Sequence, residues 1–96
     1  MAVYALAQLT IHDHDRYQKY VAGFLPTLKP FNGKPLVNDE APAVLEGEWS
    51  HSKVVLLEFP DEASLTGWAQ SDAYQAIVQE RLSAANGPVL MLHGLG

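Results

Sequence analysis

The chain has 96 residues and a mass of 10.5 kDa, which is enough for one hydrophobic core but not for two, so we expect a single domain over residues 1–96. With 48% hydrophobic and 18% charged residues, the composition is that of a globular protein. The absence of cysteine excludes disulfides, thiolate catalysis and cysteine-based zinc sites. A net charge of −5, with only six Lys and Arg, argues against a nucleic-acid partner and against docking on anionic membranes.

Two further features concern the location of the protein. No apolar run approaches the roughly 18 residues that a membrane-spanning helix needs. The start of the chain, Met1 to Tyr4, lacks the basic head and apolar stretch of a signal peptide. We therefore expect a cytoplasmic protein.

The first third of the chain predicts a strand followed by a helix. Val3–Ile11 is apolar and β-prone, as in a strand that is covered on both faces. Asp13 is a good N-cap for the helix that follows. Pro26 either kinks this helix or opens a new one, and Asn32-Gly33 ends it. The helical stripe consists of Tyr17, Tyr20, Val21, Phe24, Leu25 and Leu28.

The middle of the chain predicts an antiparallel hairpin. Residues 34–38 and 43–49 have the character of strand pieces, bracketed by Pro35 and Pro42, which suits an edge strand or a bulge. Lys53–Phe59 is the clearest strand in the sequence.

The last third predicts a second helical region and a final strand. Asp61 caps the helix, and Ser71-Asp72 has the character of a fresh N-cap within it. The sequence Asn86-Gly87-Pro88 ends the helix, and Val89–His93 is the last strand. The residues at helical spacing on the inner side are Leu65, Trp68, Ala69, Tyr74, Ile77, Val78, Arg81 and Leu82, all apolar or aromatic except Arg81.

This β-α-β-β-α-β order predicts a ferredoxin-like α+β fold, with a four-stranded antiparallel sheet and two helices on one face. The strand Lys53–Phe59 is mostly apolar on both faces, and two helices on one side cover only one of them. An uncovered apolar sheet face indicates a partner, and we expect a homodimer through that face.

Several motifs resemble a known family. They are Leu45-Glu46-Gly47-Glu48-Trp49, the run from Val54 to Pro60, the sequence Ser71-Asp72-Ala73-Tyr74-Gln75, and Arg81. Together they are similar to the domain-of-unknown-function family 1330, within the dimeric α/β-barrel superfamily, over nearly the whole chain. The resemblance implies a ferredoxin-like subunit that pairs sheet to sheet into a dimeric barrel. It implies no established reaction.

His12 and His14, with Asp13 and Asp15 beside them, are the one cluster of metal-capable side chains. Two imidazoles two residues apart share a metal only in an extended segment, whereas here the second one opens a helix. We therefore predict no metal site, and we expect no organic cofactor either.

The most prominent charged candidates are Arg81, Glu58 and Glu46. Glu58 lies among apolar neighbours in its strand, and Arg81 lies on the helical stripe that faces the sheet. One interpretation is a half-buried ion pair that fixes the helix on the sheet. The other is an arginine that binds an anion in a cleft between helices and sheet, oriented by Glu58.

Aromatic and histidine side chains complete the candidate ligand site. Tyr17 and Tyr74 carry the hydroxyls expected to project into a pocket, and Trp49 belongs to the same candidate set. His93, on the last strand, is included because its ordinary pKa lies near neutrality.

Three functions remain open from the sequence. The first is a small homodimeric protein that binds a small anionic or aromatic molecule in the cleft between helices and sheet. The second is a cofactor-independent enzyme, similar to a monooxygenase or an isomerase, that acts on a small metabolite. The third is a purely structural dimer without a ligand.

Overall fold

The computed structural model describes residues 1–95, so Gly96, the last residue of the predicted domain, lies outside the described residues. The strands are β1 (Val3–Ile11), β2 (Lys34–Asp39), β3 (Lys53–Phe59), β4 (Ala85–Asn86) and β5 (Val89–His93). The helices are α1 (His14–Leu28), α2 (Glu62–Gln70) and α3 (Asp72–Ala84), and a short 3₁₀ turn, Lys29–Phe31, follows α1.

The strands form one antiparallel sheet of the predicted ferredoxin-like kind. Its order is β2-β3-β1, with β4 and β5 both paired to the far side of β1. In register, Leu6 of β1 lies opposite Leu56 of β3 and Leu90 of β5. The ferredoxin-like α+β prediction is confirmed, but the sheet has five strands and not four.

The fifth strand arises because the chain reaches β1 before the predicted final strand begins. Ala85 and Asn86 pair with Ile11 and Thr10 as soon as α3 ends. The sequence Gly87-Pro88 then interrupts the pairing, since proline has no amide hydrogen to donate to a ladder. Val89–His93 resumes it within the predicted bounds.

Side-chain caps define where the helices begin. The amide of Arg16 donates to Asp13 Oδ1 at 3.1 Å, and the amide of Ser64 donates to Asp61 Oδ1 at 2.7 Å. Ser71 has extended backbone angles, and its Oγ accepts from the amide of Tyr74 at 3.2 Å. The predicted second helix is therefore two helices, which makes three in the described chain. α1 continues through Pro26 without ending.

The predicted strand over residues 43–49 is wrong. β2 ends at Asp39, whose carboxylate accepts a hydrogen bond from the amide of Ala41 at 2.9 Å and turns the chain. Gly47 then takes a positive φ of 80°, which interrupts extended structure. The segment has no helix or strand, and Leu45 within it is 92% exposed.

The core lies between the helices and one face of the sheet. Inward-facing strand residues alternate along the chain, with Val3, Ala5 and Leu9 from β1 and Leu57 and Phe59 from β3. The helices contribute mainly aromatic residues to this core, namely Tyr17, Tyr20, Trp68 and Tyr74. On the opposite face Tyr4, Leu6 and Gln8 of β1 are only half-buried, so β1 is mostly buried on one face and not on both as predicted. Within residues 1–95, no helix is long and apolar enough to cross a membrane.

Candidate ligand cavity

A cavity of about 170 Å³ lies between the helices and the inner face of the sheet. Small side chains of β1, Ala5 and Ala7, leave this space open at the sheet, and Val55 and Leu57 of β3 form the rest of that wall. On the helix side the wall is aromatic, with Tyr17, Tyr20, Phe24, Trp68 and Tyr74. The space therefore suits a ring-sized apolar molecule.

The sequence of α1 places three aromatic rings on one face. Tyr17, Tyr20 and Phe24 follow each other at spacings of three and four residues, which puts them above one another on a helix. The ring centroids are 5.7 Å apart for Tyr17 and Tyr20, and 5.4 Å apart for Tyr20 and Phe24. Trp68 and Tyr74, from α2 and α3, pack with centroids 4.1 Å apart. The helix wall of the cavity is thus a continuous aromatic surface.

The cavity opens to solvent between α1 and β2. Leu25 of α1 and Val37 of β2 both line it, yet they are 57% and 39% exposed. Because β2 is an edge strand that is exposed along its whole length, no neighbouring strand closes this side. A small molecule has a route into the cavity here.

The hydroxyls of Tyr17 and Tyr20 in the cavity are neutral at physiological pH. Burial raises the pKa of Tyr20 well above its usual value of 10.0, and the neighbouring Tyr74 hydroxyl, 3.4 Å away, raises it further. Burial also raises the pKa of Tyr17, although the charge of Arg81 opposes this. These phenols therefore retain their protons and can donate hydrogen bonds.

Lys53 is a cationic cavity residue that the sequence analysis missed. Its side chain is 6% exposed, and Nζ lies 4.9 Å from the ring centroid of Tyr17. Glu40 Oε1 lies 3.7 Å from Nζ, but the Glu40 side chain is 77% exposed. The alternation of side chains along β3 could have revealed Lys53, because residues 53, 55, 57 and 59 share the face that packs against the helices.

Arg81 supplies a second cation at the cavity wall, as predicted from its position on the α3 stripe. Its Cζ lies 5.9 Å from the ring centroid of Tyr20. Among residues 1–95, no carboxylate oxygen lies within 4.0 Å of its guanidinium. Arg81 thus retains unused hydrogen-bond donors beside an aromatic surface.

The predicted ion pair between Glu58 and Arg81 is wrong. Glu58 alternates with Leu57 and Phe59, which face the helices, so its side chain lies on the opposite face of the sheet. In register it lies beside Tyr4 and Lys34. The sheet separates Glu58 from Arg81, and Glu58 does not line the cavity.

Three other predicted site residues also lie away from the cavity. Glu46 is exposed in the segment between β2 and β3. Trp49 Nε1 donates to Gln8 Oε1 at 2.8 Å, and Gln8 lies on the face opposite to the helices. His93 is exposed at the end of β5, opposite Val3. The cavity therefore brings together Arg81, Tyr17 and Tyr74 of the predicted set, and their role in binding stays a prediction.

Residues of the histidine cluster at the start of α1 make hydrogen bonds that support the fold. Asp13 caps the helix, as described above, and the amide of His12 donates to the carbonyl of Ala84 at 2.9 Å. Within residues 1–95, no three His, Asp or Glu side chains are grouped so as to hold a metal ion.

The fold and the cavity define a class of protein, a small ferredoxin-like α+β domain with an aromatic space between its helices and its sheet. The sequence matches the family model described as domain of unknown function DUF1330 over residues 2–95. The chain belongs to this family, which confirms the resemblance seen in the sequence. No curated protein sequence matches the chain.

Solved structures share the fold at low sequence identity. A protein of unknown function from Rhodopseudomonas palustris is 17% identical, with a TM-score of 0.82 over 99% of this chain and 83% of its own. A dimeric ferredoxin-like protein of unknown function from Jannaschia sp. CCS1 is 16% identical, with a TM-score of 0.79 over 98% of this chain and 100% of its own. SnoaB, a cofactor-independent oxygenase from Streptomyces nogalater, is 7% identical, with a TM-score of 0.67 over 99% of this chain and 94% of its own.

Proposed function

We propose that the protein is a homodimeric binding protein whose subunits each hold a small aromatic molecule in the cavity between helices and sheet. The observation that carries the proposal is the aromatic cavity itself. An apolar protein cavity of about 150 Å³ holds a benzene molecule, and the cavity here, at about 170 Å³, is of the same size. Tyrosine hydroxyls within it would fix the orientation of a polar substituent.

A titration with benzyl alcohol tests the cavity. Binding is followed by amide chemical shifts, and we expect the shifts to concentrate on α1, α3 and the inner face of β1. Ala7→Leu places a larger side chain into the cavity and should abolish binding, whereas Ala43→Leu makes the same change at an exposed position and should leave binding intact. Absence of cavity shifts in the unmodified protein would favour the purely structural dimer instead.

The dimer is supported by the uncovered face of the sheet. Leu6, Leu56 and Leu90 lie side by side across three strands on that face, and Leu90 is 44% exposed. A contiguous apolar surface of this kind favours association with a second copy. The Jannaschia protein, which has the same fold, is described as dimeric.

Light scattering tests the dimer, with an expected mass of twice the 10.5 kDa chain. Leu6→Lys places a charge in the centre of the proposed interface and should give the monomer mass. Leu82→Lys, on the exposed side of α3, is the matched control and should remain dimeric. A monomeric unmodified protein at micromolar concentration would overturn this part of the proposal.

The alternative of a cofactor-independent enzyme has only the fold to support it. SnoaB shares the fold, and a shared fold alone does not transfer an activity. We therefore assign no catalytic residue. The cytoplasmic location and the lack of a nucleic-acid partner stay predictions from the sequence.

A further inference from the structure

We infer that the molecule bound in the cavity is an aromatic monocarboxylate, and that Lys53 and Arg81 receive its carboxylate group. This inference rests on the proposed function, because it names the ligand class of the same cavity. It draws on charge and burial, whereas the binding proposal draws on the size and the aromatic wall of the cavity.

The burial of Lys53 is the first observation. Lysine is almost never fully buried unless its charge is paired, because removal of an ammonium group from water is costly. Here the side chain is 6% exposed, and the one carboxylate oxygen within 4.0 Å among residues 1–95 is that of Glu40, at 3.7 Å. A charge-assisted hydrogen bond is about 2.7–2.9 Å long, so the contact of Nζ with Glu40 is too long to be one. An anion in the cavity would supply a charged acceptor at closer range.

Arg81 is the second observation. It comes from α3, whereas Lys53 comes from β3. Both border the same aromatic corner, because Tyr20 beneath Arg81 and Tyr17 beneath Lys53 have ring centroids 5.7 Å apart. Its guanidinium has no carboxylate partner in the described chain. The planar guanidinium matches the two oxygens of a carboxylate.

The charge balance of the cavity indicates the charge of the ligand. The lining contains two cations, Lys53 and Arg81, and no Asp or Glu. Glu40 lies outside the lining but 3.7 Å from Lys53 Nζ, and the two cations and this carboxylate together carry one net positive charge. That net charge fits a single negative charge better than the double charge of a phosphate ester. The aromatic remainder of the wall favours a ring over a sugar or an aliphatic polyol.

A pair of probes of equal shape tests the ligand class. Phenylacetate and phenylacetamide differ mainly in charge, and at about pH 7 the acid is ionised. We expect phenylacetate to bind at least about tenfold more tightly, as measured by chemical-shift titration of the full chain. Phenyl phosphate should bind more weakly than phenylacetate, and tighter binding of the phosphate would overturn the choice of a monocarboxylate.

Variants of the two cations test their roles. Lys53→Met and Arg81→Met should each reduce the preference for phenylacetate over phenylacetamide severalfold or more. Lys53→Met removes a buried charge and inserts an apolar chain of similar length, so we expect it to fold. The matched controls are Lys29→Met and Arg16→Met, which remove exposed cations outside the cavity and should keep the full preference.

The outcomes separate this inference from the proposed function. Equal affinity for the two probes would overturn the carboxylate class while the cavity still binds aromatic molecules. Loss of binding for both probes, together with benzyl alcohol, would overturn the binding function itself. A preference that survives in Lys53→Met or in Arg81→Met would overturn the role of that residue.

Discussion

The backbones of Gly87 and Gln8 lie so close together that only glycine fits at position 87. A Cβ atom built on Gly87 would overlap the carbonyl oxygen of Gln8, and the φ of Gly87 is +146°. The amide of Gln8 donates to the carbonyl of Pro88, the residue after Gly87, at 3.0 Å. This close approach holds the chain against β1 between the two short terminal strands, and it explains why the sheet has a fifth strand.

Replacement of Gly87 by alanine should therefore be strongly destabilising. We expect Gly87→Ala to lower the free energy of unfolding by about 3 kcal/mol or more, through backbone strain and displacement from β1. Gly47→Ala is the matched control, because Gly47 also has a positive φ, of 80°, but nothing lies within 4 Å of its Cβ position. It should cost only about 1 kcal/mol. Equal losses in urea unfolding would show that the contact with Gln8 is unimportant.

The buried hydrogen bond between Trp68 and Thr27 provides a second test. Trp68 Nε1 donates to Thr27 Oγ1 at 3.0 Å, and Thr27 Oγ1 donates to the Phe24 carbonyl at 2.6 Å. Thr27→Val keeps the shape but leaves the indole N–H without an acceptor, which should cost about 1–3 kcal/mol. Thr66→Val, at an exposed position of α2, should change the free energy of unfolding by less than about 0.5 kcal/mol. Similar effects of both changes in denaturant titration would contradict this role of Thr27.

Local sequence signals predicted much of the fold because their physical causes are local. Asp13, Asp61 and Ser71 cap helices through hydrogen bonds to amides three residues away, so the type of residue and its position suffice to recognise them. The αL conformation of Asn32, with a φ of 56°, likewise follows from residue type. The strand at 43–49 failed because its exposed apolar residues resemble strand residues, while the turn at Asp39 depends on a side-chain hydrogen bond.

The candidate site was harder to predict because it depends on which sheet face the helices cover. The alternation of β3 separates Lys53 from Glu58 correctly, but the pattern alone does not say which set faces inward, since both are mostly apolar. The predicted pair of Glu58 and Arg81 requires Glu58 on the inner face, whereas its side chain lies on the outer one. Lys53, which shares the inner face, was overlooked because a lysine at the start of a strand is usually exposed.

The cap at the start of α2 predicts a dependence of stability on acid pH. Hydrogen bonding from the amide of Ser64 lowers the pKa of Asp61 below its ordinary value of 3.8. A lowered native pKa contributes stability above the unfolded pKa, and this contribution is lost as pH falls through the native pKa. The stability advantage of the unmodified protein over Asp61→Ala should therefore shrink below about pH 4. Unfolding curves at several pH values measure this, and a constant difference down to about pH 2 would contradict it.

Tyr20 predicts the opposite dependence at alkaline pH. Burial, and then the neighbouring Tyr74 hydroxyl, raises its native pKa well above the unfolded value of 10.0. A raised native pKa contributes stability that is complete below the unfolded pKa and is lost as pH rises above it, because the unfolded chain releases the phenol proton first. The loss of unfolding free energy with pH approaches about 1.4 kcal/mol per pH unit for one such proton.

Tyr20→Phe removes this proton and, because the hydroxyl contact to Tyr74 is a long 3.4 Å, should cost less than about 1 kcal/mol at neutral pH. Between about pH 9 and 11 the unmodified protein should lose stability more steeply than Tyr20→Phe, and parallel curves would show that the Tyr20 phenol is not buried from solvent.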